Sequence, residues 1–269
     1  MSTLADLNFR GSTVIITGAA GGIGTAMAQG FAARGASLAL LDLNEDGVEA
    51  LAQELRANGA KVLARRCDTS SEADVVAAVD ATEGELGGPH VLVNNAALGS
   101  HTRPEELTLE EWNAVIAVSL TGYFLCAREC GRRMLAAGSG AIVNIASIGG
   151  VSAIGRGNFA YDVSKAGVIA LTRELGVEWA TRGVRVNAVA PCQVLTPGLR
   201  ALLADEQFET DALMQRFLGG IPIGRLASPD DVVGAVLFLA SSSAAMTTGA
   251  TLPVDGGNLA LNAGGSTTW

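Results

Sequence analysis

Seven short apolar runs recur along the chain, and between them lie longer stretches in which apolar positions return every three or four residues. The runs are TVIIT at 13–17, SLALLD at 37–42, KVLARR at 61–66, HVLVN at 90–94, AIVNIAS at 141–147, VRVNAVA at 184–190 and ATLPV at 250–254. Continuous rather than alternating hydrophobicity is what a strand shows when both of its faces are covered. Helical periodicity fills 23–34, 45–58, 71–86, 108–137, 160–181 and 229–240. Gly35, Gly59, Gly87 and Gly183 mark helix ends, and Ser228-Pro229 supplies an N-cap followed by a first-turn proline. This alternation predicts right-handed crossovers and an α/β fold: a doubly wound, Rossmann-like parallel sheet of about seven strands with helices on both faces. With no linker, repeat or low-complexity segment, residues 1–269 read as a single domain. The stretch 196–227, rich in Ala, Leu, Phe and Met, breaks the alternation and reads as a substrate lid.

Composition narrows the picture by exclusion. Hydrophobic residues make up 49% and charged residues 17%, with 34 glycines, as suits an α/β chain with many tight turns. A net charge of −9 gives no electrostatic footprint for nucleic acid or for an anionic membrane. The opening MSTLADLNFR lacks the basic-then-apolar pattern of a signal, and no uncharged apolar run reaches spanning length, so a cytoplasmic protein is expected. Cys67, Cys126, Cys130 and Cys192 have no C-x-x-C spacing, and His90 and His101 stand apart from any ligand cluster. Buried free thiols are expected, and no metal.

Candidate chemistry begins at TGAAGGIG, residues 17–24, where a strand turns into a helix. Gly18, Gly22 and Gly24 remove Cβ atoms at that turn, which lets backbone approach a pyrophosphate at a helix N-terminus. The second strand ends in Asp42, eighteen residues beyond Gly24, where a ribose 2′-hydroxyl of a dinucleotide needs an acceptor. The same carboxylate repels a 2′-phosphate, and neither 18–24 nor 40–46 holds Lys or Arg. The expected cofactor is therefore NAD rather than NADP.

A second signal is YDVSK at 161–165. The chain holds two tyrosines and two lysines against sixteen arginines, yet places Tyr161 one helical turn before Lys165. An exposed i,i+4 pair is the plain explanation. The alternative is one shared site: a phenol titrating near 10 is a poor base, and an adjacent ammonium together with a positive nicotinamide ring favours phenolate. Lys suits this better than Arg, because its compact charge on a flexible stem carries several donors.

The whole set of motifs resembles the short-chain dehydrogenases/reductases, in their branch of roughly 250-residue single-domain chains. It comprises TGAAGGIG at 17–24, Asp68 after the third strand, NNAA at 94–97, Ser147, YDVSK at 161–165, VNAVAP at 186–191 and VDGG at 254–257. The resemblance implies an oxidoreductase interconverting a secondary alcohol and a ketone. Tyr161 would be the acid/base, Lys165 would position the ribose and tune Tyr161, and an upstream serine would hold the substrate oxygen. Ser147 is preferred for that part over Ser152 because it comes directly after its strand. The implied cofactor contacts are Gly18, Gly22, Ile23, Gly24, Asp42, Asp68, Asn95, Ala96, Val194 and Thr196, together with Tyr161 and Lys165. A homotetramer is implied too, with helices 108–137 and 160–181 at one interface.

Three departures from the family pattern stand out. Ser119 occupies the position of a proton-relay Asn, so it enters the catalytic candidates as a hydroxyl holding a water near Lys165; Asn113 points elsewhere. Cys192 replaces a glycine beside the nicotinamide, as a pocket-lining thiol or a nucleophile. One extra residue separates Ser147 from Tyr161. Substrate is left open. Arg156, His101 and Arg103, if they face the pocket, favour a sugar, polyol or hydroxy acid; Leu202, Leu203, Phe208, Leu213, Met214 and Phe217 fit an apolar compound or plain packing. A catalytically silent dinucleotide-binding regulator or scaffold is the competing reading.

Overall fold

The computed structural model describes residues 7–155, 157–204 and 210–261. Seven strands form one parallel sheet: β1 Thr13–Thr17, β2 Ser37–Asp42, β3 Val62–Arg66, β4 Val91–Asn94, β5 Gly140–Ile145, β6 Val184–Pro191 and β7 Thr251–Val254. Their order is β3-β2-β1-β4-β5-β6-β7. The helices are α1 Gly22–Ala32, α2 Glu45–Ala57, α3 Glu72–Leu86, α4 Leu109–Ile116, α5 Gly122–Ala137, α6 Phe159–Glu178, α7 Pro197–Ala204, α8 Thr210–Gly219 and α9 Pro229–Ala240.

The uninterrupted apolar runs are explained by burial on both faces. Along β1, Val14 and Ile16 enter one core while Ile15 enters the other; Leu38 and Leu40 of β2 face opposite to Ala39 and Leu41. The first core packs under α1, α2 and α9 through Met27, Phe31, Val48, Leu55 and Leu237. The second packs under α3 and α5 through Val79, Cys126, Cys130 and Met134. Tyr123 of α5 and Val168 of α6 close a third cluster over β6. All four cysteines are buried and free.

Two expected elements differ in form. The helix expected over 108–137 is three pieces, because residues 117–121 form a π turn between α4 and α5. One residue is thereby inserted into the helical spacing, which rotates α5 relative to α4; such bulges occur often at functional sites. Leu109–Ala137 is apolar and long enough by composition to cross a bilayer, but here it packs on α3, α6, β4 and β5. The stretch 196–227 holds α7 and α8 rather than irregular chain.

The chain order reverses between β1 and β4, and there the first crossovers depart to opposite sides and leave a crevice at the C-terminal strand ends. Thr17 ties its two walls together. Its hydroxyl accepts from the N–H of Asn95 at 2.9 Å and of Ala96 at 3.1 Å, while the Asn95 amide donates back to the Thr17 and Gly18 carbonyls. Thr17→Val keeps the shape but removes that acceptor. Urea unfolding should read a loss of about 2 kcal/mol at unchanged m-value, the usual penalty for stranded buried donors. An unshifted midpoint would mean that water serves those amides instead.

Candidate active site

The crevice beyond β1, β2 and β4 is a cleft of about 430 Å³ lined by Gly18, Ala20, Gly21, Asp42, Asp68, Asn95 and Ala96. Gly18 has φ +63°, and a Cβ there would lie 2.8 Å from Ala96 Cα. A Cβ on Gly24 would lie 2.1 Å from the Gly18 carbonyl oxygen. Gly22 has a different reason from the one its spacing suggests: Pro197 Cδ and Thr196 Cβ stand 2.6 and 3.0 Å from its missing Cβ, so the start of α7 packs directly on the glycine loop. Val194 bridges to Ala227, and the Thr196 hydroxyl accepts from Leu199 N–H at the start of α7.

A pyrophosphate suits this cradle on one specific ground. Helix α1 begins at Gly21 without a side-chain cap, whereas Asn44, Ser71, Thr108 and Ser228 cap α2, α3, α4 and α9. The uncapped N–H groups at Gly22 and Ile23 carry the positive end of the helix dipole. Asp42 stands at the rim, its carboxylate fixed by Ala20 N–H and Asn44 N–H, each at 2.9 Å. Asp68 is fixed by Ser70, whose backbone N–H and hydroxyl both donate to it. The register partner of Asp42 is Arg66, whose guanidinium lies 3.7 Å from Asp74.

Beyond β5 and β6 a second cavity, about 480 Å³, is lined by Ser147, Tyr161, Cys192, His101, Asn158, Gln193, Leu213 and Phe217. Ser147 leaves β5 in extended conformation and accepts from Gly149 N–H at 3.0 Å. Ser152 instead bonds the Ile148 carbonyl and lines a neighbouring depression. Ser147 and Tyr161 thus share one cavity that Ser152 does not line. The longer connection between them folds as a 3-10 turn at 148–150 and a loop whose Gly157 abuts the His101 backbone. Asp162 accepts from Ile154 N–H at 3.4 Å beneath that loop, and burial pushes its carboxyl up to about 6. Arg156 and Phe208, and the side chain of Leu202, lie outside the described residues. Cys192 is buried, and burial holds its thiol above the usual range, which suits a lining role better than a nucleophile.

Lys165 is 1% exposed. Its Nζ donates to Tyr123 Oη and to the Ile145 carbonyl, each at 2.8 Å, and lies 5.4 Å from the Tyr161 ring centroid. Burial pushes the lysine down to about 7 and the Tyr161 phenol up to about 12, the latter eased by a hydrogen bond with Ser147 and raised further by Asp162. In the free protein burial therefore outweighs the help expected from an adjacent ammonium. Ser119 also differs from expectation. It is fully buried in the π turn, and its hydroxyl donates to the Leu98 carbonyl and accepts from the Leu98 N–H, both at 2.9 Å. It fastens the loop after β4, and it makes no hydrogen bond to Lys165. Asn113 is exposed, as expected. The residue that sequence reasoning passes over is Tyr123. Its signal is rarity: it is the other of two tyrosines, on the apolar face of its helix.

A family model described as enoyl-(acyl carrier protein) reductase matches residues 18–258. D-threitol dehydrogenase of Mycolicibacterium smegmatis is 43% identical over 255 residues, covering 94% of this chain and 95% of that one. Cis-4-hydroxycyclohexanecarboxylate dehydrogenase of Sinomonas cyclohexanicum is 44% identical over 255 residues, covering 94% and 98%. A crystal structure of gluconate 5-dehydrogenase from Burkholderia cenocepacia, in complex with NADP and tartrate, superposes with a TM-score of 0.88 at 32% identity, covering 95% of this chain and 98% of that one. With these matches running almost end to end, and with the glycine cradle, Ser147, Tyr161 and Lys165 all in place, the chain belongs to the short-chain dehydrogenase/reductase family.

Proposed function

We propose that this protein is an NAD-dependent alcohol dehydrogenase and ketone reductase for a small hydroxylated substrate, a polyol or a ring alcohol. The observation that carries the reading is the convergence of Ser147 and Tyr161 on one cavity with Lys165 buried behind them. His101, Asn158 and Gln193 offer polar contacts there, while Ile148, Ile154, Leu213 and Phe217 offer apolar ones. The relatives named for threitol and for a hydroxycyclohexane acid fit the same class. A catalytically silent regulator has no support, since all three reactive side chains are present and these relatives are dehydrogenases.

The nicotinamide, when bound, supplies the hydride acceptor or donor. Gly18, Gly22, Ile23 and Gly24 would hold its pyrophosphate, Asp42 the adenosine ribose, Asp68 the adenine, and Asn95, Ala96, Val194 and Thr196 the remainder. Ser147 donates a hydrogen bond to the substrate oxygen and stabilises the charge that develops on it. Tyr161 takes the hydroxyl proton at its Oη in oxidation and returns it in reduction. The Lys165 ammonium, confined in low dielectric, favours the phenolate and so lowers the proton-transfer barrier. Leu213 and Phe217 of α8 keep bulk water from the cavity. Asp42 favours NAD because its oxygens are held toward the crevice by two backbone amides, leaving a fixed negative charge where a 2′-phosphate would sit. We also place the protein in the cytoplasm as a homotetramer. Exposed Leu109, Phe124, Phe159, Val163 and Val177 on α4, α5 and α6 form the face for assembly, and light scattering that reads one 27.3 kDa chain would contradict it.

The direct test is NADH formation from NAD+ across a panel of tetritols, hexitols and cyclohexanols. Tyr161→Phe should keep NAD+ affinity within about twofold and lower kcat by about 10²–10⁴, the range for a positioned acid/base. Lys165→Arg should also be severely impaired although the charge is kept. Tyr161→Phe retaining half the parent's activity would contradict the mechanism.

Cofactor choice has its own test. Asp42→Ala should weaken kcat/KM for NAD+ by about 10–100-fold, as expected for a lost hydrogen bond to a charged group, and weaken it far less for NADP+. Comparable kcat/KM for the two cofactors in the parent protein would overturn the NAD assignment.

A further inference from the structure

Lys165 Nζ, Tyr123 Oη and the Ile145 carbonyl oxygen form a closed triangle. The ammonium donates to the other two at 2.8 Å each, and the phenol donates to the same carbonyl at 3.0 Å. Tyr123 and Lys165 are each 1% exposed. A buried tyrosine hydroxyl is satisfied by one acceptor, and Ile145 already provides it. The approach of the ammonium to the phenol oxygen is therefore additional, and it supplies one of the two acceptors the cation has in its burial site. Ser119 spends its one hydroxyl proton on the Leu98 carbonyl and makes no hydrogen bond to Lys165.

Surrounding structure fixes this arrangement. Asn94 Nδ2 donates to the Tyr123 carbonyl at 3.2 Å and to Asn144 Oδ1 at 2.9 Å, and Asn144 Nδ2 donates to Thr172 Oγ1 of α6. Helix α5 and helix α6 are thus both tied to the centre of the sheet beside the triangle. Among the described residues, the titratable groups facing this region are few. They are Tyr161 and Asp162 from α6, Tyr123 with Cys126 behind it from α5, and His101 and Cys192 across the cavity. From α4, Glu111 is bonded to Thr102, and the C-terminal ends of β5 and β6 bring no charged side chain.

We propose that Tyr123 is a positioning residue for the alcohol–ketone chemistry: its hydroxyl anchors the Lys165 ammonium behind Tyr161 and shuts that side of the amine off from water. The inference rests on the function proposed for this site. A protein with no turnover on any alcohol would refute that function. A protein that turns over normally when Tyr123 is replaced, with its pH limbs in place, would refute this inference alone.

Burial already disfavours the charged lysine. Removing an acceptor moves the same equilibrium further, so the amine loses its proton at lower pH. In oxidation the working form carries the proton on Lys165 and not on Tyr161, so its share falls at every pH. In reduction the working form carries both protons, so its loss at high pH begins earlier. Both limbs of activity thus move to the acid side together.

Tyr123→Phe is the first variant, since it keeps the ring and leaves Ile145 bonded to Lys165. The expected result is a fall in kcat of about tenfold, KM for the alcohol within about twofold, and both pH limbs displaced downward by about one unit, the equivalent of one hydrogen bond to a charged group. Tyr123→Leu, the second variant, should show the same displacement with a greater loss of thermal stability. Because the chain has only two lysines, NMR of 15N-lysine-labelled protein reads the Lys165 amine directly, and its titration should fall by the same amount. Limbs and lysine titration that stay in place in a folded variant, whatever its rate, would overturn the proposal.

Discussion

A lysine ammonium withdrawn almost completely from water is the constraint on which the arrangement of this site turns. An isolated buried cation is strongly unfavourable, so it persists only where oxygen acceptors are already in position. Here Ile145 ends β5, so its carbonyl is presented at the strand's edge, and Tyr123 meets it from α5. The π turn that precedes α5 sets the rotation of that helix, and the Asn94–Asn144–Thr172 bonds hold α5 and α6 against the sheet. Tyr161 lies one turn before Lys165 on α6 and so is carried to the cavity mouth by the same packing. Few side chains here are interchangeable, because each satisfies a buried polar partner.

The cofactor side of the site obeys a simpler constraint. Parallel strands leave their C-terminal ends free where chain order reverses, and Thr17 stitches β1 to the loop after β4 across that gap. Glycine is required there for contact as much as for conformation. At Gly24 the obstacle is the Gly18 carbonyl, and at Gly22 it is Thr196 and Pro197 at the start of α7. The contact at Gly22 sets the start of α7 directly against the glycine turn.

Much of this was legible in the sequence. Periodicity located all seven strands within a residue or two; for β1, β2, β4, β5 and β6 this is because a strand buried on both faces has few polar positions to blur its ends, whereas the more exposed β3 and β7 were marked by the turns and helices that flank them. Asp42, Ser147, Tyr161 and Lys165 were singled out by spacing, strand-end position and family resemblance, and the fold puts Asp42 in the first crevice and Ser147 and Tyr161 in one cavity with Lys165 buried behind. The π turn was not legible: AVSLT differs from an ordinary helical segment only through hydrogen bonds that tertiary packing selects. For the same reason Ser119 looked like a relay position, although its hydroxyl serves the Leu98 backbone 21 residues away. Tyr123 escaped because its partner lies 42 residues on, and no local pattern announces such a contact. The helices within 196–227 were hidden by the uniform apolarity of that stretch, which carries little helical contrast.

The central claim is that Tyr161 is a suppressed acid in the free protein, held near 12 by burial, and that the positive charge arriving with the oxidised nicotinamide cofactor together with Lys165 releases its proton. Two tyrosines make this directly observable. With 13Cζ-tyrosine labelling, the protein gives two NMR signals that can be followed against pH with and without saturating NAD+. The account predicts that NAD+ lowers the titration of one signal, absent in Tyr161→Phe, by about two units or more, while the Tyr123 signal stays protonated through pH ~10. Two signals that NAD+ leaves unshifted in an enzyme that still oxidises alcohols would contradict it.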